Sequence, residues 1–198
     1  MARDLSSKWK KCRREKYSLY DKDDWKRRPN LPGEHPMSTR RPSSYAVRFR
    51  EKQKVKRIYG LLERQFKRFF QTAEKSKENT GIKLLKLLEM RLDNVIYRLG
   101  LAPTRDSARQ LVNHGHIFIN DNKVDIPSYI VKVGDEIRLK KSSQKKNFIK
   151  IFSEESKKIK SPVWLEKLPF GGKVKSEPSR ESIDKGINEQ LIVEYYSR

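Results

Sequence analysis

The side chains best suited to chemistry lie together between positions 105 and 123. Arg105, Arg109 and Asn113 are spaced four residues apart, which places them on one face of a helix, and His114 and His116 follow at once. A guanidinium holds a phosphate through two parallel hydrogen bonds, and amides and imidazoles can reach sugar hydroxyls or base edges. This combination predicts a surface that binds structured RNA.

The two histidines could also be read as metal ligands, but no Cys, Asp or Glu cluster near them completes a site. We therefore expect them to contact RNA or to pack at the end of a helix. Cys12 is the single cysteine, and with His35 it makes a partial site at most, whereas a structural zinc needs about four ligands. We expect no zinc and no other cofactor.

A helix followed by a hairpin must position these residues. Thr104 can cap the helix, and Gly115 suits a left-handed end. Alternating apolar residues then predict a strand at 116–119, a turn at Asp121-Asn122 and a return strand at 123–126. Further strands are predicted at 130–133 and 136–139. The expected result is two helices packed on a small antiparallel sheet.

Apolar residues recur at helical spacing upstream of this segment. We predict a basic helix over 45–59, capped by Ser43 or Ser44 and ended by Gly60, a second helix over 62–73, and a periodic stretch over 84–99 that divides near Met90 or Arg91. Downstream, we predict a helix from 148 to 159, a turn at Gly171-Gly172, and a C-terminal segment capped by Asn188 that could be a helix or a strand.

Positive charge is concentrated in the first part of the chain. The 198 residues include 47 Lys or Arg and 25 Asp or Glu, for a net charge of +22, and residues 1–80 alone hold 24 basic and 10 acidic residues. Residues 1–43 combine basic clusters with four prolines and no regular period. We predict an extended arm that RNA orders, with a solvated tail of no function as the alternative.

Composition excludes several classes of protein. With 35% hydrophobic and 36% charged residues, the chain cannot build a large-cored enzyme fold. No apolar run approaches the roughly 18 residues of a membrane span, and the N-terminal residues lack the apolar core of a secretory signal. A single cysteine makes no internal disulfide, so we expect a reducing compartment.

The order of motifs resembles a known family. The stretch Arg91-Leu-Asp-Asn-Val-Ile-Tyr-Arg-Leu-Gly100, followed by Arg105-Asp-Ser-Ala-Arg-Gln-Leu-Val, His114-Gly-His and Ile119-Asn, is similar to the S-four RNA-binding domain. The similarity continues in Arg41-Pro-Ser-Ser-Tyr-Ala-Val-Arg-Phe-Arg-Glu-Lys-Gln-Lys and in the terminal Asn188-Glu-Gln-Leu-Ile-Val-Glu-Tyr-Tyr-Ser-Arg198. The chain therefore resembles the bacterial-type small-subunit ribosomal S-four family over nearly its whole length.

The resemblance implies a structural constituent of the small ribosomal subunit. Members of the family bind the 5′ domain of 16S-type ribosomal RNA, nucleate assembly of the subunit, and with neighbouring proteins line the mRNA entry region and influence decoding accuracy. The implied partners are this RNA, the small-subunit proteins S-five and S-three, and mRNA near the entry channel. We expect a location in cytoplasmic or organellar ribosomes, with neither membrane association nor homo-oligomers.

The expected RNA-binding residues combine the family motif with the basic residues of the arm and the first helices. They are Arg13, Arg14, Arg41, Arg48, Arg50, Lys52, Lys54, Arg57, Arg64, Arg91, Arg105, Arg109, Gln110, Asn113, His114, His116, Asn120 and Lys123.

The expected fold is α+β. We divide the chain into a basic arm at 1–43, a helical domain at 44–90 joined by 186–198, an S-four RNA-binding domain at 91–140, and the rest of the second domain at 141–185.

Other functions have weaker indications. The same domain is attached to pseudouridine synthases and some tRNA synthetases, but those carry a separate catalytic domain, and this sequence has no nucleotide-binding glycine loop or Ser-His-Asp arrangement. We therefore expect no enzymatic activity and no catalytic residues. A basic membrane-surface protein is disfavoured, since the charges are spread over several elements. A free-standing translational regulator that binds messenger RNA stays open.

Overall fold

The computed structural model describes residues 6–20, 24–28, 30–33, 41–155 and 161–197. The chain divides into two compact units, Met1–Gly81 with Lys185–Arg198, and Ile82–Asp184. The division at residue 81 falls earlier than the boundary at residue 90 expected from the sequence.

The described helices are α1 (Lys8–Glu15), α2 (Ser44–Ile58), α3 (Glu63–Glu74), α4 (Thr80–Glu89), α5 (Leu92–Arg98), α6 (Arg105–Asn113), α7 (Lys141–Gln144), α8 (Asn147–Glu155) and α9 (Glu189–Tyr196). The described strands are β1 (Ile117–Ile119), β2 (Asn122–Lys123), β3 (Glu136–Leu139), β4 (Leu165–Leu168) and β5 (Gly171–Val174). The α+β class predicted from the sequence is confirmed. No helix in the described part of the chain is both long and apolar enough to span a membrane.

Helices α2, α3 and α9 build the core of the first unit. The Ser43 hydroxyl accepts a hydrogen bond from the backbone N–H of Ala46 at 3.2 Å, and Gly60 adopts φ 62° beyond the end of α2. The predicted cap and stop of this helix are confirmed. The buried side chains of this core include Val55, Ile58, Tyr59, Leu61, Phe66, Phe70, Ala73, Ile187 and Ile192.

The C-terminal segment is a helix and not a strand. The Asn188 side chain accepts hydrogen bonds from the backbone N–H groups of Gln190 and Leu191, as an N-cap does. Ile192 is fully buried, and burying such a side chain contributes about 1.5–3 kcal/mol to stability. The cap and this burial stabilise the helix, which is the one of the two structures left open by the sequence that the chain adopts.

The prediction that the first 43 residues lack regular structure is wrong for residues 8–15, which form α1. Cys12 has no exposed surface, and Lys16 ends the helix at φ 50° in the left-handed region. The helix carries five basic residues and one buried apolar side chain, so its sequence has no apolar stripe. Tertiary contacts decide its conformation, because Glu15 at its end pairs with α2.

The second unit packs its helices on a five-stranded antiparallel sheet of order β2-β1-β3-β5-β4. Its core runs from α5 and α6 across the sheet to α8 and includes Leu92, Ile96, Leu111, Ile117, Ile137, Ile149 and Trp164. The predicted break in the helical stretch 84–99 is confirmed, since α4 ends at Glu89 and α5 begins at Leu92. Residue Arg91, between them, forms an isolated bridge with Ile130.

Helix α6 has the predicted ends. The Thr104 hydroxyl accepts a hydrogen bond from the Ser107 N–H at 3.1 Å, and Gly115 adopts φ +66° just past the helix. The hairpin turn, in contrast, lies one residue earlier than predicted, at Asn120 and Asp121, which have φ 47° and 67°. A two-residue hairpin turn of this kind needs positive φ at both positions, which Asn and Asp tolerate.

Two strand predictions are wrong in extent. The return strand comprises only Asn122–Lys123, and the stretch 130–133 contributes a single bridge at Ile130.

The prediction of a turn at Gly171-Gly172 is also wrong, because both glycines lie in β5 and Phe170 makes the turn with φ 56°. A Cβ at Gly171 would collide with the Ile137 carbonyl of β3, so close strand approach, and not a turn, requires glycine there.

Helix α8 covers the first part of the predicted helix at 148–159. The predicted end of this helix lies outside the described residues.

Candidate nucleic-acid interface

The basic residues of α2 pair with carboxylates inside the first unit. The ion pairs are Arg48–Glu194 at 2.6 Å, Arg50–Glu15 at 3.3 Å, Lys52–Glu63 at 2.7 Å, Lys54–Glu51 at 2.8 Å, Lys56–Glu63 at 3.1 Å, and Arg57–Glu15. Every basic side chain of this helix therefore has a carboxylate partner, and three of the four acids come from other helices. The cations of α2 hold the unit together.

Lys52 is the most enclosed of these cations. Its side chain is 3% exposed, and its ammonium lies 4.2 Å from the centroid of the Tyr195 ring and 5.1 Å from that of Phe49. A desolvated ammonium over aromatic rings contributes about 2 kcal/mol. The structure does not present Lys52 at the surface as the predicted RNA contact requires, because its ammonium lies between α2 and α9.

Glu15 joins α1 to α2. Its side chain has no exposed surface, and it accepts hydrogen bonds from Arg50 and Arg57. Burial raises the pKa of Glu15 above its ordinary value, and the two guanidiniums act in the opposite direction. Arg48, Lys54 and Arg57 are thus mostly covered and paired within the first unit, whereas the side chain of Arg50 is paired but 41% exposed.

Other predicted residues of the first unit stay at the surface. Arg41 and Arg64 are exposed, and Arg13 is half-buried. Arg14 is exposed and donates a hydrogen bond to the Pro32 carbonyl at 2.8 Å, which ties the arm to its own helix.

A buried arginine is the first member of a network of ion pairs and hydrogen bonds in the second unit. Arg91 is 2% exposed, and its guanidinium pairs with Asp93 at 2.8 Å. Asp93 also accepts two hydrogen bonds from Arg109, at 2.7 and 3.1 Å. The structure does not present Arg91 at the surface as the predicted RNA contact requires, because it is enclosed and shares the Asp93 carboxylate with Arg109.

A second branch of the network positions Arg105. The Asn94 amide donates to the Glu89 carboxylate at 2.8 Å, and its oxygen accepts from Arg105 at 2.9 Å. The Arg105 guanidinium lies 4.4 Å from the centroid of the Tyr97 ring. Glu89 has no exposed surface and also pairs with Arg98 at 2.8 Å. Arg105 and Arg109 are therefore presented by a preformed polar network.

Sequence reasoning missed the residues that build this network, Glu89, Asp93, Asn94 and Arg98. A signal was present, since polar residues interrupt an otherwise apolar helical stretch at positions that must be buried. Buried polar groups require hydrogen-bond partners, and the nearby arginines supply them.

A group of cationic side chains surrounds His116 where α6 meets the hairpin. The His116 ring accepts or donates a hydrogen bond with the Ser143 hydroxyl at 2.9 Å and lies 5.6 Å from the Phe148 ring centroid. Burial lowers the pKa of His116 below its ordinary value of 6.5, and the charges of Lys146, His114 and Lys140 lower it further. The charged groups that shift the pKa of His116 are thus all basic.

Lys123 belongs to the same surface. Its side chain is exposed and crosses Gly115, where an added Cβ would collide with it. Gln110 and His114 are also exposed, and Asn113 is half-buried. We call the set Gln110, His114, His116, Lys123, Lys140 and Lys146 the helix–hairpin surface. Lys140 and Lys146 were not expected; the paired lysines at 140–141 and 145–146, directly after β3, were the available signal.

Asn120 has a structural use. Its amide donates to Asp135 at 2.8 Å, and its oxygen accepts from the Glu136 N–H at 2.9 Å. Both ends of the side chain therefore fasten the hairpin turn to β3, and the residue itself is exposed, so its assignment to RNA binding stays a prediction.

Metal ligands do not gather in the described part of the chain, where His, Cys, Asp and Glu form no group of three or more that could hold an ion. Cys12 is buried, and burial raises the pKa of its thiol. His35, the other ligand considered for zinc, lies outside the described residues.

Comparison with known families places these elements in two matched segments. Residues 90–137, which contain α6, the hairpin and the arginine network except Glu89, match the S4 domain, and residues 3–89 match the ribosomal protein S4/S9 N-terminal domain.

Relatives match the chain along nearly its whole length. The small ribosomal subunit protein uS4 of Halothermothrix orenii is 50% identical, over 94% of this chain and 95% of its own length. Proteins of Clostridium perfringens (uS4A) and Clostridium tetani (uS4) are 48% and 47% identical, with both chains covered in full. The chain belongs to the uS4 family of small ribosomal subunit proteins.

Proposed function

We propose that this chain is a structural, non-enzymatic constituent of the small ribosomal subunit and that its helix–hairpin surface binds the ribosomal RNA. The observation that carries the proposal is the group of exposed ammonium side chains, Lys123, Lys140 and Lys146, that lies around His116 where α6 meets the hairpin. Such a local excess of positive charge is the footprint of a polyanion site.

The arrangement suits folded RNA. Lys123, Lys140 and Lys146 supply exposed ammonium groups for phosphates, and Gln110 and His114 can reach 2′-hydroxyls or base edges. The arginine network beside them needs no rearrangement on binding, because its guanidiniums are already oriented by Asp93 and Asn94. Preorganised side chains lose less conformational entropy when they bind.

Finer features of the proposal rest on family membership. We propose that the RNA is the 5′ domain of 16S-type ribosomal RNA, that binding nucleates assembly of the subunit, and that the neighbours are proteins S-five and S-three beside the mRNA entry region. The names of the relatives, which place them in the small subunit, support this proposal. A role in decoding accuracy would follow from that location.

A charge-matched pair of variants tests the surface. Lys123→Glu with Lys140→Glu alters the helix–hairpin surface, whereas Lys167→Glu with Lys173→Glu alters exposed lysines on β4, which is the edge strand opposite β2, and on its inner neighbour β5. Four strand spacings separate the two edges by about 19 Å.

We expect the first pair to weaken binding to a 5′-domain transcript at least about 100-fold, since each lost charged hydrogen bond costs about 1.5–3 kcal/mol. The second pair should change binding by less than about tenfold. Equal effects of the two pairs would show that binding depends on net charge alone and would refute the assigned surface.

Cosedimentation of the wild-type chain with the small subunit in high salt separates a ribosomal constituent from a free regulator, which would wash off.

A further inference from the structure

One face of α3, continued by its C-cap residue Lys75, carries a row of basic residues that nothing else in the described chain neutralises. At 100° per residue the row falls within one arc, and its members, all exposed, are Arg64, Lys67, Arg68 and Lys75, with Gln71 among them. Phe66, Phe70 and Ala73 occupy the opposite face and are buried. We call the four cations the α3 stripe.

Carboxylates that could pair with the stripe are directed elsewhere. Glu63 stands one turn before Lys67, but its oxygens accept hydrogen bonds from Lys52 at 2.7 Å, Lys56 at 3.1 Å and the Tyr196 hydroxyl at 2.9 Å. Glu74 flanks the arc and is neither three nor four residues from any member of the stripe. Among the described residues, no side chain forms an ion pair or hydrogen bond with the stripe's four cationic groups.

The contrast with α2 makes this charge informative. Helix α2 carries more basic residues, and every one of them has a carboxylate within 4 Å. The fold pairs every cation of α2 with a carboxylate, but it pairs none of the cations of the α3 stripe. The stripe cations are therefore available to an external anion.

We propose that the α3 stripe is a second RNA-binding surface, which contacts the phosphate backbone of a double-stranded segment of ribosomal RNA. The stripe is about 16 Å long at 1.5 Å per residue, enough to face several successive phosphates. It contains no aromatic side chain on which an unpaired base could stack. Backbone contacts of this kind position a protein on RNA without reading sequence.

This inference rests on the proposed function, and a salt titration can separate the two. The full chain and a Lys67→Gln, Arg68→Gln, Lys75→Gln variant are titrated with a 5′-domain transcript of small-subunit ribosomal RNA across a range of salt concentrations. Each phosphate contact contributes roughly 0.7–0.9 to the slope of log affinity against log salt. We expect the triple variant to lower the magnitude of this slope by roughly 2 to 3.

The matched control is Lys132→Gln, Lys167→Gln, Lys173→Gln, which removes three exposed charges from the second unit. Its slope should change by less than about 1. Glutamine has nearly the helix propensity of Lys and Arg, so the stripe variant should keep its fold, which circular dichroism checks. If it does not, Lys67→Gln and Lys75→Gln are tested singly, each with an expected decrease of about 1.

An unchanged slope in the folded stripe variants, with wild-type binding and the effect of Lys123→Glu with Lys140→Glu intact, overturns the stripe alone. A wild-type chain whose affinity for the transcript does not depend on salt overturns the proposed function as well. Equal decreases in the stripe variant and its control would show that the slope reports net charge and not a second surface.

Discussion

Helix α2 and the helix–hairpin surface are both rich in cationic side chains, but their charges meet different partners. Every cation of α2 forms an ion pair with one of four carboxylates, which belong to Glu15, Glu51, Glu63 and Glu194. Around His116, the exposed ammonium groups of Lys123, Lys140 and Lys146 form no ion pair with any carboxylate of the described residues. Positive charge on α2 therefore serves internal cohesion, whereas at the helix–hairpin surface we propose that it serves anion recognition.

The difference shows that net charge does not locate an interface. Acids placed by the tertiary fold decide which lysines and arginines remain available to an external polyanion. Partly buried pairs resist screening by salt, whereas exposed cations without partners respond to it strongly. Variants at the two kinds of position should consequently differ in what they change, either the free energy of unfolding or the affinity for RNA.

The largest effect is expected where a buried cation would lose its partner. Asp93→Asn removes the carboxylate that faces Arg91, and both side chains are at most 4% exposed. Breaking a buried ion pair costs about 3–5 kcal/mol because the remaining charge stays desolvated. Urea denaturation measures the loss in free energy of unfolding. Asp125→Asn, at an exposed position, is the control and should change it by less than about 0.5 kcal/mol.

A smaller loss of stability is expected at Lys52. Lys52→Met removes the ammonium from the Tyr195 ring and from Glu63, which keeps Lys56 as a partner. We expect about 2 kcal/mol of destabilisation and unchanged RNA affinity of the folded protein, measured by denaturation and filter binding. Lys132→Met, at an exposed position, is the control for stability. A loss of RNA affinity without a loss of stability in Lys52→Met would place Lys52 in the interface after all.

Glu63 should make the stability of the first unit sensitive to acid. Burial alone would raise its pKa, but hydrogen bonds from Lys52, Lys56 and Tyr196 outweigh burial and lower the pKa below the ordinary 4.5. A carboxylate with a lowered folded-state pKa stabilises the protein above its unfolded-state value and loses that contribution as pH falls through the folded-state pKa.

The wild type should therefore exceed Glu63→Gln in free energy of unfolding at neutral pH, and the difference should shrink below about pH 4.5. Denaturation curves from pH 3 to 7 measure it. A difference that grows on acidification would contradict the pairing described for Glu63.

The smallest effect concerns the protonation of His116. Its pKa is lowered by burial and by neighbouring cations, so phosphates that bind those cations should raise it toward or above 6.5. NMR titration of labelled histidine rings, with and without RNA, measures the shift. Lys146→Gln should raise the same pKa in the free protein, because it removes one of the charges involved. A His116 pKa that falls on RNA binding would exclude phosphates from this surface.

Local signals in the sequence predicted much of the fold. Ser43 and Thr104 cap their helices through hydrogen bonds three residues away, and Gly115 ends α6 in the left-handed region. Each of these features depends on a few neighbouring residues, so the sequence alone identifies it. Helix α1 was missed because its conformation depends on contacts with α2.

For the candidate site, the sequence could not predict ion pairs between residues that are far apart in the chain. Arg50 meets Glu15 across 35 positions, and Arg48 meets Glu194 across 146. No local pattern indicates such pairs, so the sequence assigned α2 to RNA binding. The prediction for Gln110, His114, His116 and Lys123 stands as a proposal, since their surface adjoins lysines and is not covered by carboxylate partners.

Lysine acetylation of the full chain, with and without a 5′-domain transcript, tests the contrast between the two regions most directly. Mass spectrometry gives the modification rate at each lysine. We predict fast modification of Lys123, Lys140 and Lys146 in the free protein and protection by RNA, with Lys52 and Lys54 slow in both states. Rapid modification of Lys52 and Lys54 in the free protein, with protection of those two and not of the helix–hairpin lysines, would contradict the account.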